Sequence, residues 1–457
     1  MKNYWISSGL YSLLNQVTQM VFNLGSMLIL YRVLDKPTCS VWVLFITITA
    51  LIEVTRTGLL QNGLMTFLNT NPKSVHDSIN TASFFLNVSF SVLFAILLWS
   101  TSKFIGNHFE LPELTTLLNI YAFTTLLLSG VYQFNFIQQA NLDFRGLFWS
   151  TLVRTSTLFF AILFLAINKL HVNLTTLACV QVIAALPAAF VAFLFARKYF
   201  ALQRNIDWNW VKKLLKYGRF TFGTNAATMI FKSLDRFVIG SFTGLKSQVS
   251  TYDLSIKINN LAEVPTTTLA AILFPQSARK NHEEGNSAVK FLYEKSVGVL
   301  LSLIIPIIIF ILVFADIIVT LLGSAAYSSA APILRLTIFF GFFMAFAIQF
   351  GTVMDASGKP KLNFWITSMG AVVNLACNYL FITWFGVIGA AYGTLLAMAT
   401  MFVIMQVILN RTFDIQIGNI FKYAFNFYGE AIMRLKGFKS GVNDAKSAES
   451  ATVSSIG

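Results

Sequence analysis

Long apolar stretches follow one another along most of this chain, from residue 8 to residue 410. A helix of about 20 residues crosses the roughly 30 Å hydrocarbon core of a bilayer, and each stretch reaches that length. Stretches such as SLIIPIIIFILVFADIIVTLL are apolar on every face, unlike the alternating strands of a membrane β-barrel. The pattern predicts an all-α integral membrane protein with about twelve spans, near 8–34, 40–68, 80–102, 113–138, 147–168, 174–196, 217–242, 251–275, 294–322, 331–355, 362–384 and 387–410.

Composition and charge support a membrane protein and argue against a nucleic-acid partner. Hydrophobic residues make up 56% of the chain and charged residues 11%, whereas an average soluble domain has about 25% charged residues. The net charge is +14, but the predicted loops on one side hold 21 lysines and arginines and the opposite loops hold 5. Because positive charge accumulates on the cytoplasmic side, both termini are expected in the cytoplasm.

The longest connection within the spans, residues 196–218, divides them six and six. A shift of 210 positions aligns Asn15 with Asn225, Lys36 with Lys246 and Leu44 with Leu254, which indicates two related halves. Two six-helix bundles repeated in this way would hold a substrate cavity between them near the bilayer midplane. The expected division is an N-terminal bundle (1–196), a cytoplasmic linker with an interfacial helix (197–216), a C-terminal bundle (217–410), a cytoplasmic interfacial segment (411–439) and a disordered tail (440–457).

Motifs for enzymatic chemistry are absent from the sequence. It contains no GxxxxGK[ST] loop for ATP, no HExxH motif and no cysteine–histidine cluster. Its four histidines lie in predicted loops, and Cys39, Cys179 and Cys377 are scattered among the spans. We therefore expect neither an enzyme nor a metal ion or cofactor.

Charged residues inside predicted spans are the candidate functional residues, because each costs about 2.5–3.5 kcal/mol to insert. Glu53 and Arg56 lie three apart on one face of span 2, either as a neutralising pair or with Arg56 facing a wet cavity and an anionic substrate. In span 7, Lys232 and Asp235 have the spacing of a pair, which would leave Arg236 as net positive charge.

Further candidate charges lie in spans 5, 8 and 10. Asp253 and Lys257 are predicted to form a surface ion pair near the outer end of span 8. Glu263, in the middle of that span, has no basic residue three or four positions away, and Pro265 follows it. It is a candidate proton or Na⁺ site or, alternatively, a carboxyl group held protonated by neighbouring helices. Arg154 and Arg335 lie nearer the membrane faces, where a long side chain can reach water.

Several segments resemble one transporter family. The stretch SLDRFVIGSFTGLKSQVSTYDLSIKI (233–258) is similar to a segment of the Wzx-type polysaccharide flippases, which belong to the multidrug/oligosaccharidyl-lipid/polysaccharide exporter superfamily. Segments 264–279, 317–336 and 355–397 resemble the same family in the same order, the last of them including Asn374 and Asn378. The first half is less similar, since 34–37 reads LDKP where many relatives have a turn with glycines.

The resemblance implies a V-shaped, twelve-helix fold of two bundles related by a pseudo-twofold axis. It implies alternating-access flipping of an undecaprenyl-pyrophosphate-linked oligosaccharide across the bacterial inner membrane. The implied partners are this lipid-linked glycan, membrane lipids, H⁺ or Na⁺, and polymerase or chain-length proteins. The candidate cations of a central cavity are Arg56, Lys232, Arg236, Arg154 and Arg335, and the candidate coupling-ion residues are Glu263, Asp235 and Glu53.

Two other functions are compatible with a polytopic membrane protein. A multidrug or cation antiporter of the same superfamily would favour an acidic and aromatic cavity over a cationic one. A membrane glycosyltransferase or polymerase would need catalytic side chains in its outer loops, whereas the outer loops 243–250 and 323–330 contain one lysine and no acid.

Overall fold

The computed structural model describes residues 2–170, 172–242, 244–261, 266 and 286–429, which are almost entirely helical and contain no strand. The helices are α1 (Lys2–Val33), α2 (Lys36–Thr70), α3 (His76–His108), α4 (Pro112–Ala140), α5 (Arg145–Ile167), α6 (Leu174–Ala196), α7 (Trp208–Ser241), α8 (249–261), α9 (Asn286–Leu322), α10 (Ala330–Thr337), α11 (Phe339–Ala356), α12 (Pro360–Phe385), α13 (Val387–Phe413) and α14 (417–429).

Ten helical segments of the described chain are long and apolar enough to cross a bilayer. They coincide with every predicted span except the seventh and eighth. In α7, the charges of Lys232, Asp235 and Arg236 interrupt the apolar run, and α8 is described only as far as residue 261. The all-α membrane architecture is confirmed, and the count of twelve spans stays a prediction.

Helix α7 differs from the sequence-based expectation. The interfacial helix predicted before residue 217 and the seventh span are one uninterrupted helix of 34 residues, about 51 Å long. Asp207 caps its start by accepting a hydrogen bond from the Asn209 N–H at 2.9 Å. The linker therefore ends near residue 207, and the amphipathic turns that follow belong to α7 itself.

The chain forms two compact units. The first comprises residues 1–257, 316–333 and 364–397, and the second comprises 258–315, 334–363 and 398–457. These boundaries do not follow the predicted six-and-six division, which stays a prediction.

In the first unit, α2 and α7 pack against each other over much of their length. A buried apolar cluster joins α2, α3, α4 and the first turns of α7, with Leu60, Leu64 and Leu214 fully enclosed. Gly218 makes the closest approach, because a Cβ there would overlap the backbone oxygen of Leu59. The contact continues toward the other end of α7, where a Cβ on Gly240 would touch the side chains of Leu44 and Phe109.

In the second unit, α14 packs against α9. Glu294 accepts hydrogen bonds from the Gln416 N–H at 2.8 Å and the Asn419 side chain at 3.1 Å, at the start of α14. The Tyr428 hydroxyl donates to the Ser302 carbonyl at 2.5 Å. Residues up to 429 of the predicted interfacial segment (411–439) therefore include a helix held on α9. The predicted tail (440–457), Glu263 and Pro265 lie outside the described residues.

Candidate functional site

A cavity of about 340 Å³ lies inside the first unit, among α1, α2, α4, α5, α6 and α8. Its apolar wall includes Trp42, Leu128 and Ile162. Its polar lining residues are Asn23, Ser26, Thr49, Glu53, Tyr121, Thr124, Tyr132, Arg154, Thr155, Gln181 and Lys257. The cavity therefore combines an apolar wall with charged and hydrogen-bonding groups, which is the usual character of a ligand site.

Arg56 stands behind the cavity wall and is only 1% exposed. One guanidinium nitrogen donates to the Ser91 hydroxyl at 3.0 Å and to the Thr125 carbonyl at 3.1 Å. Another pairs with Glu53, and the group lies 4.3 Å from the centre of the Tyr132 ring. The neutralising pair predicted in span 2 thus exists, and these contacts engage most of the guanidinium within the protein.

Glu53 is the member of this pair that faces the cavity. Its carboxylate accepts a hydrogen bond from the Tyr121 hydroxyl at 2.6 Å in addition to its contact with Arg56. Its side chain is 14% exposed, whereas that of Arg56 has no exposed surface. The pair therefore presents a neutralised carboxylate, rather than a guanidinium, to any ligand in the cavity.

Arg154 and Lys257 are the cations that line the cavity. Arg154 interacts electrostatically with Tyr132 and Glu53, and neither cation forms an ion pair in the described part of the chain. The charge of Arg56 offsets that of Glu53. The charges of Arg154 and Lys257 therefore give the cavity a net positive charge. Lys257 was not among the predicted site residues, because its spacing of four from Asp253 indicated a surface ion pair.

The prediction of a surface ion pair between Asp253 and Lys257 is wrong, because the carboxylate of Asp253 is buried and binds other residues. Its carboxylate accepts from Arg236 Nε at 2.6 Å and from the Tyr31 hydroxyl at 2.6 Å. The prediction that Arg236 carries an unpaired charge is also wrong, because its side chain is paired with Asp253 and largely buried. Lys232 lies on an exposed part of α7, and its carbonyl accepts from Arg236 at 3.0 Å. Neither Lys232 nor Arg236 lines the 340 Å³ cavity.

Asp235 forms the centre of a second polar cluster, among α7, α8, α12 and α13. Its carboxylate lies 2.7 Å from the Thr394 hydroxyl and 2.9 Å from the Asn378 amide nitrogen, and it also accepts from the Tyr252 hydroxyl. Asn374 Oδ1 contacts the same Asn378 nitrogen at 2.6 Å. The expected pairing of Asp235 with Lys232 is replaced by these neutral donors. The Asn378 Oδ1 atom is buried and has no hydrogen-bond partner in the described structure.

Comparison with known protein families identifies the family to which the chain belongs. The model of the family described as "Polysaccharide biosynthesis protein" matches residues 29–332 of the 457-residue chain. The chain belongs to this family.

Three curated relatives match part of the chain. It is 26% identical over 225 residues to an uncharacterized membrane protein, MJ1068, of Methanocaldococcus jannaschii, covering 49% of this chain and 44% of that protein. It is 23% identical over 188 residues to the probable low-salt glycan biosynthesis flippase Agl15 of Haloferax volcanii (41% and 40% covered). It is 22% identical over 283 residues to the teichuronic acid biosynthesis protein TuaB of Bacillus subtilis (62% and 58%). The matches thus span about half the length of these relatives.

Solved structures establish the fold. An inward-facing multidrug resistance MATE transporter of the MOP superfamily superposes with a TM-score of 0.73, covering 86% of this chain and 95% of that one. The lipid II flippase MurJ, in an inward closed conformation, superposes with a TM-score of 0.75, covering 91% and 90%. Both are 14% identical to this chain and therefore show the fold alone. The all-helical fold expected from the sequence is therefore the fold of these two solved proteins.

Arg335, the remaining predicted cation, lies in the second unit of this family member, where its Nε is 3.4 Å from the Leu312 carbonyl. It contributes nothing to the 340 Å³ cavity. No group of three or more histidine, cysteine, aspartate or glutamate side chains that could hold a metal ion occurs among the described residues.

Proposed function

We propose that this protein flips an oligosaccharide linked to undecaprenyl pyrophosphate across the bacterial inner membrane by alternating access. The cavity of the first unit would bind the anionic diphosphate, and polymerase or chain-length proteins would take the product. The names of Agl15 and TuaB, which place those proteins in glycan flipping and polymer synthesis, support the class of substrate. The observation that carries the proposal is the pair of cations, Arg154 and Lys257, on the cavity wall.

Charge balance is the physical reason for this assignment. A diphosphate loses its hydration when it enters the membrane interior, and that loss is costly unless fixed positive charges replace the water. Arg56 cannot fill this role while it holds Glu53, but Arg154 and Lys257 add two positive charges to the neutral pair. A cation antiporter would need the opposite balance, and Glu53, the one acid among the described residues that line this cavity, is already paired with Arg56.

The size of the cavity fits a head group rather than a whole oligosaccharide. Small-molecule sites occupy about 300–1,000 Å³, so 340 Å³ lies at the lower end. Trp42, Tyr121 and Tyr132 add aromatic surface beside the charged groups. A diphosphate with the nearest sugar matches this volume and this mixture of surfaces, and further sugars would extend beyond the cavity.

Transport by purified protein in vesicles tests the proposal directly. The probe is a fluorescently labelled undecaprenyl-pyrophosphate saccharide, and the readout is its appearance in the opposite leaflet. Arg154→Gln and Lys257→Gln should each lower the rate roughly tenfold or more, because a hydrogen bond to a charged group contributes about 1.5–3 kcal/mol. Arg154→Lys should keep part of the rate.

The matched control is Lys103→Gln, which removes an exposed cation of α3 away from the cavity and should leave transport unchanged. Parental rates for the Arg154→Gln, Lys257→Gln double variant would contradict the proposed cationic site. An absence of transport by the parent protein would contradict the proposed substrate.

The Asp235 cluster supports a second part of the proposal, a coupling-ion site for H⁺ or Na⁺. Its side chains gather carboxylate, amide and hydroxyl oxygens, which are the ligands of hard cations, and the unpartnered Asn378 Oδ1 is available to a bound ion. A buried carboxylate without a directly paired cation is also a site that a proton can neutralise. Asp235→Asn should therefore abolish the response of transport to an imposed ion gradient while the uncoupled rate persists.

Separate pH and Na⁺ gradients distinguish the two ions, and an unchanged response to both would contradict a role for Asp235. Glu53 and Glu263 are the other candidates. Glu53→Gln and Glu263→Gln should keep the gradient response if Asp235 alone carries the ion.

A further inference from the structure

The starts of α2 and α8 meet at a contact between two serines. Ser40 Oγ lies 3.1 Å from Ser250 Oγ, and the Ser250 N–H donates to Ser40 Oγ at 3.0 Å. The two residues are 210 positions apart, which is the same offset that aligns the two halves of the sequence. Equivalent points of a repeated structure touch each other only where the repeats meet at their common axis. If the predicted repeat holds, this serine contact joins the two halves.

A buried ion pair fastens α8 to α7, and a hydrogen bond fastens α8 to α1. Asp253 of α8 accepts from Arg236 of α7 at 2.6 Å and from the Tyr31 hydroxyl of α1 at 2.6 Å. The ring of Tyr31 packs against that of Tyr327 with 5.3 Å between their centres. We call Tyr31, Arg236 and Asp253 the triad. Breaking the contacts of the triad would leave a buried charge without its partner in the protein interior, unless the helices separate and water reaches it.

Further contacts involve the end of α7 and the turn that follows it. Lys246 pairs with Glu110, so the turn after α7 is tied to the turn after α3. A Cβ on Gly240 would lie 3.1 Å from the Leu44 side chain and 3.2 Å from the Phe109 ring. The charge-based prediction of topology puts these turns at the outer face.

We propose that these contacts are the closed outer gate of the transport cycle, with the triad as its latch. The inference rests on the proposed function, because substrate can leave outward only if the gate opens. It moves Arg236 from the substrate-binding cations to the gate. Lys257 lies one turn from Asp253 on α8, so an anion bound at Lys257 acts on the helix that carries the latch. Substrate binding and gate opening are therefore linked through α8.

A disulfide across the serine contact tests whether the gate must open. Ser40→Cys and Ser250→Cys are placed in a chain whose own cysteines (Cys39, Cys179 and Cys377) are replaced by alanine. A mild oxidant should form the disulfide in membranes, and transport should fall at least tenfold and recover with a reductant. The control pair is Ser102→Cys with Thr115→Cys, which joins α3 to α4 within the first six helices, where the Thr115 hydroxyl donates to the Ser102 carbonyl at 3.3 Å. Its disulfide should leave transport within twofold.

Parental transport by the fully cross-linked Ser40–Ser250 variant would overturn the gate, and failure of this disulfide to form would overturn the contact itself. Cross-linking is read by gel mobility and needs no substrate. An uncross-linked parent that moves no lipid-linked glycan would instead count against the proposed function.

The latch is tested by labelling a single cysteine, Ser250→Cys, with a membrane-impermeant maleimide from the outer side. Ser250 is fully buried, so labelling of the parent should be slow. Tyr31→Phe removes one hydroxyl and keeps the ring contact, and Asp253→Asn removes the charge; each should speed labelling about tenfold. Unchanged rates would overturn the latch. Equal acceleration at Ser102→Cys, also buried, would show general loosening and would equally count against it.

Discussion

The most discriminating prediction separates two arginines that the sequence treats alike. Arg56 and Arg154 both lie within predicted spans, and both were expected to line a cationic cavity. In the structure Arg56 is enclosed and bound to Glu53, Ser91 and Thr125, whereas Arg154 lines the cavity. Arg56→Met should therefore act mainly on stability, and Arg154→Met mainly on transport.

The size of the stability effect follows from the partners that Arg56 leaves behind. Removing one member of a buried ion pair costs about 3–5 kcal/mol, because the other charge remains without compensation. Here the residue left behind is Glu53, with the Ser91 hydroxyl and the Thr125 carbonyl also losing a donor. At about 2 °C per kcal/mol for a large chain, the apparent Tm should fall by roughly 6–10 °C.

A double variant isolates the cause of this loss. Glu53→Gln removes the charge that Arg56 compensates and keeps an acceptor for the Tyr121 hydroxyl. Arg56→Met combined with Glu53→Gln should therefore recover about half of the lost Tm. Half of that loss is about 1.5–2.5 kcal/mol, and the coupling between the two positions is this amount plus the loss measured for Glu53→Gln alone.

The assay is thermal unfolding in detergent or nanodiscs, run beside vesicle transport for each variant. Arg154→Met should lower the apparent Tm by no more than about 2 °C and should abolish most transport. The reasoning would be refuted if Arg56→Met kept the parental Tm yet transported nothing. That result would make Arg56 a substrate contact, as the sequence alone allowed.

Three further predictions test the fold, its charges and its topology. Gly218→Ala should lower the apparent Tm by several degrees, since a Cβ there overlaps a backbone oxygen of α2, whereas Gly244→Ala, with open space around it, should not. The ion pairs with Arg145 and Lys198 hold the pKa of Asp143 well below its usual value, so its stabilisation is complete above about pH 5 and fades as the pH falls below about 4. When the pH is lowered from 6 to 3.5, the apparent Tm of Asp143→Asn should therefore fall less than that of the parent. Reporter fusions should place residue 325 outside and residues 205 and 285 in the cytoplasm; the reverse at any two sites would contradict the charge-based topology.

Helix positions and family could be predicted because both depend on local sequence. The length of each apolar run gave ten spans that the described structure reproduces. The segment containing Asn374 and Asn378 was recognised by resemblance, and in the structure both side chains join the Asp235 cluster. Sequence therefore located the elements and pointed to some of the residues that meet.

The partners of the charged residues could not be predicted, because helical spacing reports which residues share a face and not which helix that face meets. Lys232 and Asp235 have the spacing of a pair, yet Asp235 turns to Thr394 and Asn378 on other helices. Asp253 and Lys257 have it as well, yet Asp253 binds Arg236 and Tyr31. In each case a tertiary partner more than ten positions away replaced the local one.

The cost of placing a charge inside a membrane explains why the cations of this protein divide into two groups with different roles. A guanidinium sealed among helices needs a carboxylate beside it, and both enclosed arginines of the first unit have one: Arg56 has Glu53 and Arg236 has Asp253. A cation that lines a wet cavity is stabilised by water and can give up that water to an anion. Arg154 and Lys257 meet this condition, since each lines the cavity without an ion pair among the described residues. The cations available to substrate are therefore those that the protein itself leaves without a carboxylate.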